Sequence, residues 1–197
     1  MVNYIQELKQ FSYGEESNWG SAPGTKNSWA GLVQNFAPKT KQNIKDVDYM
    51  GAGRDVGQLV KVASDTTFSF QMALQHGKIF QYVLGDSVDA GAGPYTHTLD
   101  GDDVLKSLTL VYSYLDPAGS ADFNKEVNGA MINKVTVDIP ERDVILATFE
   151  GFGKEPVNSS KQTLTAANTV PFLSAHNIIS VDSGGGYSNI ADLKTAQ

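Results

Sequence analysis

Three stretches of this chain alternate apolar and polar side chains with a period of two, a rhythm that suits little besides half-buried β-strands. In the first, Thr67, Ser69 and Gln71 alternate with Phe68, Phe70 and Met72. In the second, Leu108, Leu110, Tyr112 and Tyr114 stand against Ser107, Thr109 and Ser113, and in the third Val135, Val137 and Ile139 alternate with Lys134, Thr136 and Asp138. Successive side chains of a strand point to opposite faces, so each run predicts one face in a core and one outside it. The third run also opens a hairpin predicted over 132–153. Its turn is "PERD", with Pro140 at the bend because proline cannot donate to a ladder, and its return strand runs from Val144 to Phe152.

A change of period marks "LQHGKIFQYVLGD". Leu74, Ile79, Phe80, Val83 and Leu84 leave an apolar stripe at helical spacing and Gly85 stands where a left-handed cap belongs, which predicts a helix over 74–85. Beyond it lies a loop enclosing an extended piece, Tyr95 to Leu99. A last pair of short strands, around Asn177 to Val181 and Ile190 to Ala196, flanks "DSGGGYSN". With 197 residues the chain fills one core. The expected fold is mainly β: one domain, 1–197, built as a two-sheet β-sandwich or barrel of seven to nine short strands with one flanking α-helix.

Residues 14–57 do not fit that rhythm. The segment is rich in Gly, Ser, Asn, Pro and Lys, yet it carries Trp19, Trp29, Leu32, Val33, Phe36, Ile44, Tyr49 and Met50. So many large apolar groups argue against a disordered loop. The reading is a set of short strands joined by an extended arm that buries these residues against something, a neighbouring subunit among the possibilities.

Catalytic and ligand-binding chemistry finds little support. The glycines of "GAGRDVG", Gly51 to Gly57, suggest a phosphate loop, but they precede a strand and lack both the helix N-terminus and the Lys-Ser/Thr pair such a loop needs. His76, His97 and His176 are not spaced as metal or catalytic pairs. "DGDD", Asp100 to Asp103, lacks the glycine and distal glutamate of a calcium loop, and no G-x-S-x-G elbow sharpens a serine. Cysteine is absent, which rules out disulfides and thiolate metal sites and fits a reducing compartment without requiring one. The formal charge of −7 argues against wrapping nucleic acid, and the basic run "KTKQNIK", Lys39 to Lys45, reads as a solvated loop. The opening "MVNYIQELKQ" has Glu7 and Lys9 where a signal peptide needs an apolar stretch, and no long apolar run suits a bilayer. No enzyme activity and no cofactor are expected.

The order of segments is more specific than any one residue. "YGEESNWGSAPGT" leads to "WAGLVQNFAP", a polar arm ending in "GAGRD", a strand, and a segment closing in "YVLGD". Then come "YTHTLDGDDVLKSLTLVYSY", "NGAMINKVTVDI" and "VILATFEGFGKEP". From about Glu15 to Pro156 this order resembles the tail tube (major tail) proteins of long-tailed viruses of bacteria and archaea.

The resemblance implies a structural virion protein of the tail, assembled in the host cytoplasm. Its subunits would join edge to edge into rings, typically of six, and the rings would stack, with other tail proteins, into a hollow tube through which DNA passes without specific binding. No membrane partner is implied. Trp19, Trp29, Phe36, Tyr49 and Arg54 are then the candidate inter-subunit contacts of the arm, Arg54 pinning it by an ion pair or a backbone contact. An acidic or neutral lumen lets phosphates slide, which makes Asp138, Glu141, Asp143 and Glu150 of the 132–153 hairpin candidate lumen-facing groups. The alternative reading is a β-sandwich binding module on a virion or cell surface, recognising carbohydrate or protein through Trp19, Trp29 and Tyr187.

Overall fold

The computed structural model describes residues 8–47, 58–90, 96–114, 123–165, 169–174, 180–182 and 187–189. In chain order these form β1 (Leu8–Glu15), β2 (Ser28–Trp29), β3 (Leu32–Val47), β4 (Gln58–Ala73), a 3-10 turn (Lys78–Phe80), α1 (Gln81–Leu84), β5 (Gly85–Ala90), β6 (Thr96–Gly101), β7 (Leu108–Tyr114), β8 (Phe123–Asp138), β9 (Leu146–Gly153), β10 (Val157–Asn158), β11 (Ser180–Asp182) and β12 (Tyr187–Asn189). The protein is mainly β, as the alternating runs require.

One antiparallel path, β2-β1-β7-β8-β9-β4-β3, carries most of the chain, and β10 adds to β8. Strand β8 belongs to both halves of this path. Its residues up to Ala130 pair with β7, and from Met131 onward they pair with β9. The path curls until its ends face each other: Phe11 of β1 meets Phe36 of β3 with ring centroids 5.1 Å apart. Phe36 also lies 4.8 Å from Tyr112 of β7, and Phe70 of β4 stacks on Phe149 of β9 at 4.9 Å. These aromatics, with Met72, Leu108, Leu110, Val127, Ile132 and Ala147, fill the space between the halves. Burial inside that core, beside the phenol of Tyr114, pushes the Tyr112 hydroxyl up to about 12.

In the first two runs the alternation places the core residues as predicted, but Ser107, Thr109 and Ser113, expected outside, are buried as well, and in the third run Val137 and Ile139 are exposed. Phe68, Phe70 and Met72 are buried, as are Leu108, Leu110 and Tyr112. Within β9 the apolar face meets close backbone packing at Gly151. A side chain there would strike the carbonyl oxygen of Met131 and lie 2.6 Å from the Phe68 ring, so only glycine lets β9 pass between β8 and β4.

Two expectations about the elements are corrected. The helix predicted over 74–85 is a 3-10 turn followed by the four residues of α1, beginning only at Lys78. Leu74 is extended instead, because its N–H donates to the Ile145 carbonyl and its own carbonyl accepts from Phe172. The strands are not all short, since β3, β4 and β8 have 16 residues each. The strands expected around Asn177 to Val181 and Ile190 to Ala196 lie mostly outside the described residues; the described pairing sets Ser180–Asp182 against Tyr187–Asn189, with Val181 opposite Ser188.

Candidate assembly surface

The segment expected as an arm divides into two structures of different character. Its first part, from Glu16 to Asn27, folds back on its own subunit. Its later part is strand β3, which pairs along its whole length with β4, from Leu32 opposite Ala73 to Val47 opposite Gln58. Up to Phe36 the strand packs on the core, whereas from Lys39 onward polar residues dominate and it forms by pairing and not by burying a face.

The outer portion of this hairpin stands away from the body. On β4, pairing with β9 starts at Thr66, opposite Gly153, so residues 58–65 have only β3 as a strand neighbour among the described residues. Beyond that point two strands continue for seven residues on the β3 side, about 23 Å at the rise of a strand. Ile44, Val47, Leu59, Val60 and Val62 are all exposed, on both faces, with Val62 at the bulge opposite Asn43 and Ile44. A two-stranded ribbon with both faces wet is marginally stable alone and offers unpaired N–H and C=O groups along two edges. Its two strands carry Lys41, Lys45 and Lys61 against Asp46 and Asp65, one positive charge in excess, in a chain whose overall charge is −7.

Glu155 holds the root of the hairpin. Its carboxylate accepts from Gln42 Nε2 at 3.0 Å and from the Lys61 ammonium. The Lys61 contact, with Gln42 and Ser64, keeps the Glu155 carboxyl below the usual carboxylate value against the small opposing effect of desolvation.

The folded-back part is organised by a buried carboxylate. Glu16 Oε2 accepts from the Gly20 N–H at 2.6 Å and the Ser107 hydroxyl at 2.7 Å, and Oε1 accepts from the Thr109 hydroxyl at 2.7 Å and the Gly129 N–H at 2.8 Å. Gly129 adopts a φ of +63° and packs under the Trp19 indole, whose N–H donates to the Gly129 carbonyl at 3.1 Å. Lys154 lies over the same indole, 4.7 Å from the ring, and donates to the Gly20 carbonyl at 3.1 Å. Further along, Lys26 meets Glu126 at 2.5 Å, with both groups largely shielded from solvent. Burial pushes the Glu126 carboxyl up, but hydrogen bonds from Lys26, Ser159 and Asn128 and the Lys26 charge outweigh it and hold it below its ordinary value.

The five residues expected to contact a neighbour therefore fall in different places. Phe36 is in the core of its own subunit, 7% exposed. Trp29 is half-buried at the rim of a groove of about 760 Å³ between β1 and β3, and its N–H donates to Gln75 Oε1 at 2.9 Å. Trp19 is pinned on its inner edge yet remains 56% exposed. Tyr49 and Arg54, with the rest of "GAGRDVG", lie outside the described residues, as does His176.

The second surface is the outer face of the β8-β9-β4-β3 half. Cross-strand rows run Thr136, Thr148, Gln71, Asn35 and Lys134, Glu150, Ser69, Ala37. Short hydroxyl and amide groups dominate these rows. Glu150 is paired with Lys134 at 3.2 Å, whereas Asp138, Glu141 and Asp143 are exposed at the hairpin end. Asp143 is also tied to Ser174 through its backbone. On its far sides this half ends in two edges that no strand pairs among the described residues. One is β3. The other is β8 from Met131 to Asp138 on the side where β7 has already ended, since β9 and β10 occupy the opposite side. Proline stands at position 38 on the first edge, where a missing N–H costs no ladder bond.

Among the described residues no group of three or more His, Cys, Asp or Glu side chains is placed to hold a metal ion, and no helix is long and apolar enough to cross a membrane. Burial and the nearby Lys78 hold the His76 imidazole below its ordinary value. None of the signals that sequence reasoning used marks Glu16, Lys61, Lys154 or Glu155, because, apart from the Gly20 N–H beside Glu16, their partners lie dozens of positions away.

Comparison with known proteins agrees with the segment order. The family described as "Phage tail tube protein" matches residues 7–196. No curated protein matches the chain. Among solved structures, a chain of the anti-feeding prophage baseplate, determined with six-fold symmetrisation, is similar at 8% identity with a TM-score of 0.45, over 75% of this chain and 89% of that one.

Proposed function

Because the chain belongs to the phage tail tube protein family and is a structural protein of a phage tail, we propose that it builds the tube itself by pairing with copies of its own sequence. The reading rests chiefly on the β3–β4 hairpin, whose outer strands carry open edges, wet apolar side chains and net positive charge. A lone subunit gains nothing from such a ribbon. A second copy supplies both what the edges lack and a body more acidic than the hairpin, so pairing and charge act in the same direction.

Ring closure follows from the β8-β9-β4-β3 half. Its two unpaired edges, β3 and the later part of β8, are different surfaces, so joining them gives a head-to-tail contact. Repeated with a rotation that closes, such a contact gives a ring, and six copies is the size proposed. The hairpin, reaching beyond the four-stranded half, then engages the next ring, with Trp19 as an accompanying contact. Tyr49 and Arg54 are assigned to the same stacking contact.

In that arrangement the outer face of the four strands lines the lumen. Thr136, Thr148, Gln71 and Ser69 present neutral groups, Glu150 is balanced by Lys134, and Asp138, Glu141 and Asp143 add negative charge at one rim. Phosphates passing such a wall find no clustered cations to hold them by counterion release, so DNA moves through it to the cell during ejection. Assembly in the host cytoplasm with other tail proteins and a purely structural role, without catalysis, complete the proposal.

The test is direct. Concentrated wild-type protein examined by negative-stain microscopy is expected to form rings or tubes with a central channel. A variant with 42–63 replaced by a two-residue turn should stay folded and form no more than single, unstacked rings. A wild-type chain that remains monomeric at all concentrations and salts would overturn the reading.

A further inference from the structure

Two adjacent residues hold two surfaces that the sequence separates widely. Lys154 grips the Trp19 loop, through its ammonium over the indole and its hydrogen bond to the Gly20 carbonyl. Glu155 grips the hairpin through Gln42 and Lys61. At the bend that follows β9 the two side chains take different partners, so each residue reaches one surface. The backbone between them has little freedom. The Lys154 N–H donates to the Asn128 carbonyl at 2.8 Å, and Pro156 confines Glu155 to extended conformations.

We infer that Lys154 and Glu155 form a coupling link, through which the pose of the β3–β4 hairpin and the seating of Trp19 change together. The Glu155 grip is of a kind that yields easily. The Glu155–Lys61 pair is 39% and 44% exposed, and exposed ion pairs hold weakly. Displacing the hairpin therefore breaks the Glu155 grip at small cost and leaves the dipeptide held from the Trp19 side alone. Lys154 then follows through the shared backbone, carrying its contacts to the Trp19 indole and the Gly20 carbonyl with it. By linkage the effect runs both ways, so loosening Trp19 also frees the hairpin.

The inference goes beyond tube formation and concerns the single subunit, so it is tested in dilute monomer. The chain has two tryptophans, and Trp29→Phe leaves Trp19 as the sole indole reporter. In that background Glu155→Gln is expected to raise acrylamide quenching of Trp19 and shift its emission to the red. Conversely, Trp19→Ala is expected to speed amide hydrogen exchange at residues 58–65. Lys134→Met, which removes the exposed pair to Glu150 on another face, should move neither signal. Lys61→Gln cuts the same grip from the hairpin side and must reproduce the Glu155→Gln result, which separates loss of the link from damage local to position 155. Faster exchange at 58–65 in Glu155→Gln with Trp19 quenching unchanged would overturn the inference, as would no response in either. A null result here leaves the tube reading intact, since assembly is not measured.

Discussion

The backbone N–H of Gly129 donates to Glu16 Oε1 at 2.8 Å although 113 positions separate the two residues. Through this bond a loop beside β1 is fastened to the turning point of β8. Three further donors converge on the same carboxylate. Removing it leaves those buried donors without an acceptor, each at a cost of roughly 1–3 kcal/mol. Glu16→Ala is therefore expected to lower the unfolding free energy by about 4 kcal/mol, near the upper end for single substitutions. Urea denaturation measures this, and a loss below about 1 kcal/mol would mean that the donors find other partners.

Phe36 and Trp19 look alike in sequence as apolar residues of one irregular segment, and the structure separates them. Phe36→Ala empties a site enclosed by Phe11, Phe68, Phe70 and Tyr112 and should cost the subunit about 3–4 kcal/mol. Trp19→Ala should cost the subunit about 1 kcal/mol while weakening association of copies. Thermal melts paired with sedimentation velocity distinguish the two. Equal destabilisation by both substitutions would remove Trp19 from the assembly surface.

The Lys26–Glu126 pair gives a pH dependence of fixed sign. The Glu126 carboxyl is held low in the folded state, so its contribution is fully present above the ordinary carboxylate value of 4.5 and is lost as pH falls through the folded value. Glu126→Gln should be less stable than wild type at neutral pH, by about 3 kcal/mol for a shielded pair left half-made. In strong acid the two should converge, because both then present an uncharged group to Lys26. Denaturant midpoints followed from pH 7 downward report this, and a gap that persists or widens in acid contradicts it.

The charge on the hairpin makes a separate forecast. Lys41→Glu with Lys45→Glu should abolish or strongly reduce association at low salt, because an acidic hairpin meets an acidic body. Added salt screens exposed charges, so it should weaken association of the wild type and partly restore that of the variant. Light scattering across a salt series shows whether the two responses have opposite signs. Responses of the same sign would leave strand pairing, without charge, as the whole basis of the contact.

Where a strand buries one face, its sequence announces it. Phe68, Phe70 and Met72 were readable as core residues because the polar residues between them face water. The same test fails for Lys41 to Val47, where both faces are wet and alternation has nothing to record. That is why a paired strand reads as an extended arm with a solvated loop. The helix was overestimated for a related reason: Leu74 fits an apolar stripe, but its backbone is committed to Ile145 and Phe172, partners that local spacing cannot reveal. Glu16 and Glu155 act through contacts across the fold, and a carboxylate in a polar stretch carries no mark of being buried or of serving as a clasp.

A single strand serving both halves of the sheet also bears on how the molecule is born. Residues 123–130 of β8 need β7, and residues 131–138 need β9, so neither half can mature while the other is absent. The chain should therefore condense in one concerted event, without lingering on a half-finished form. For a polypeptide made in quantity among identical neighbours, this limits the time during which inner strands lie bare and keeps sticking reserved for the surfaces meant to stick.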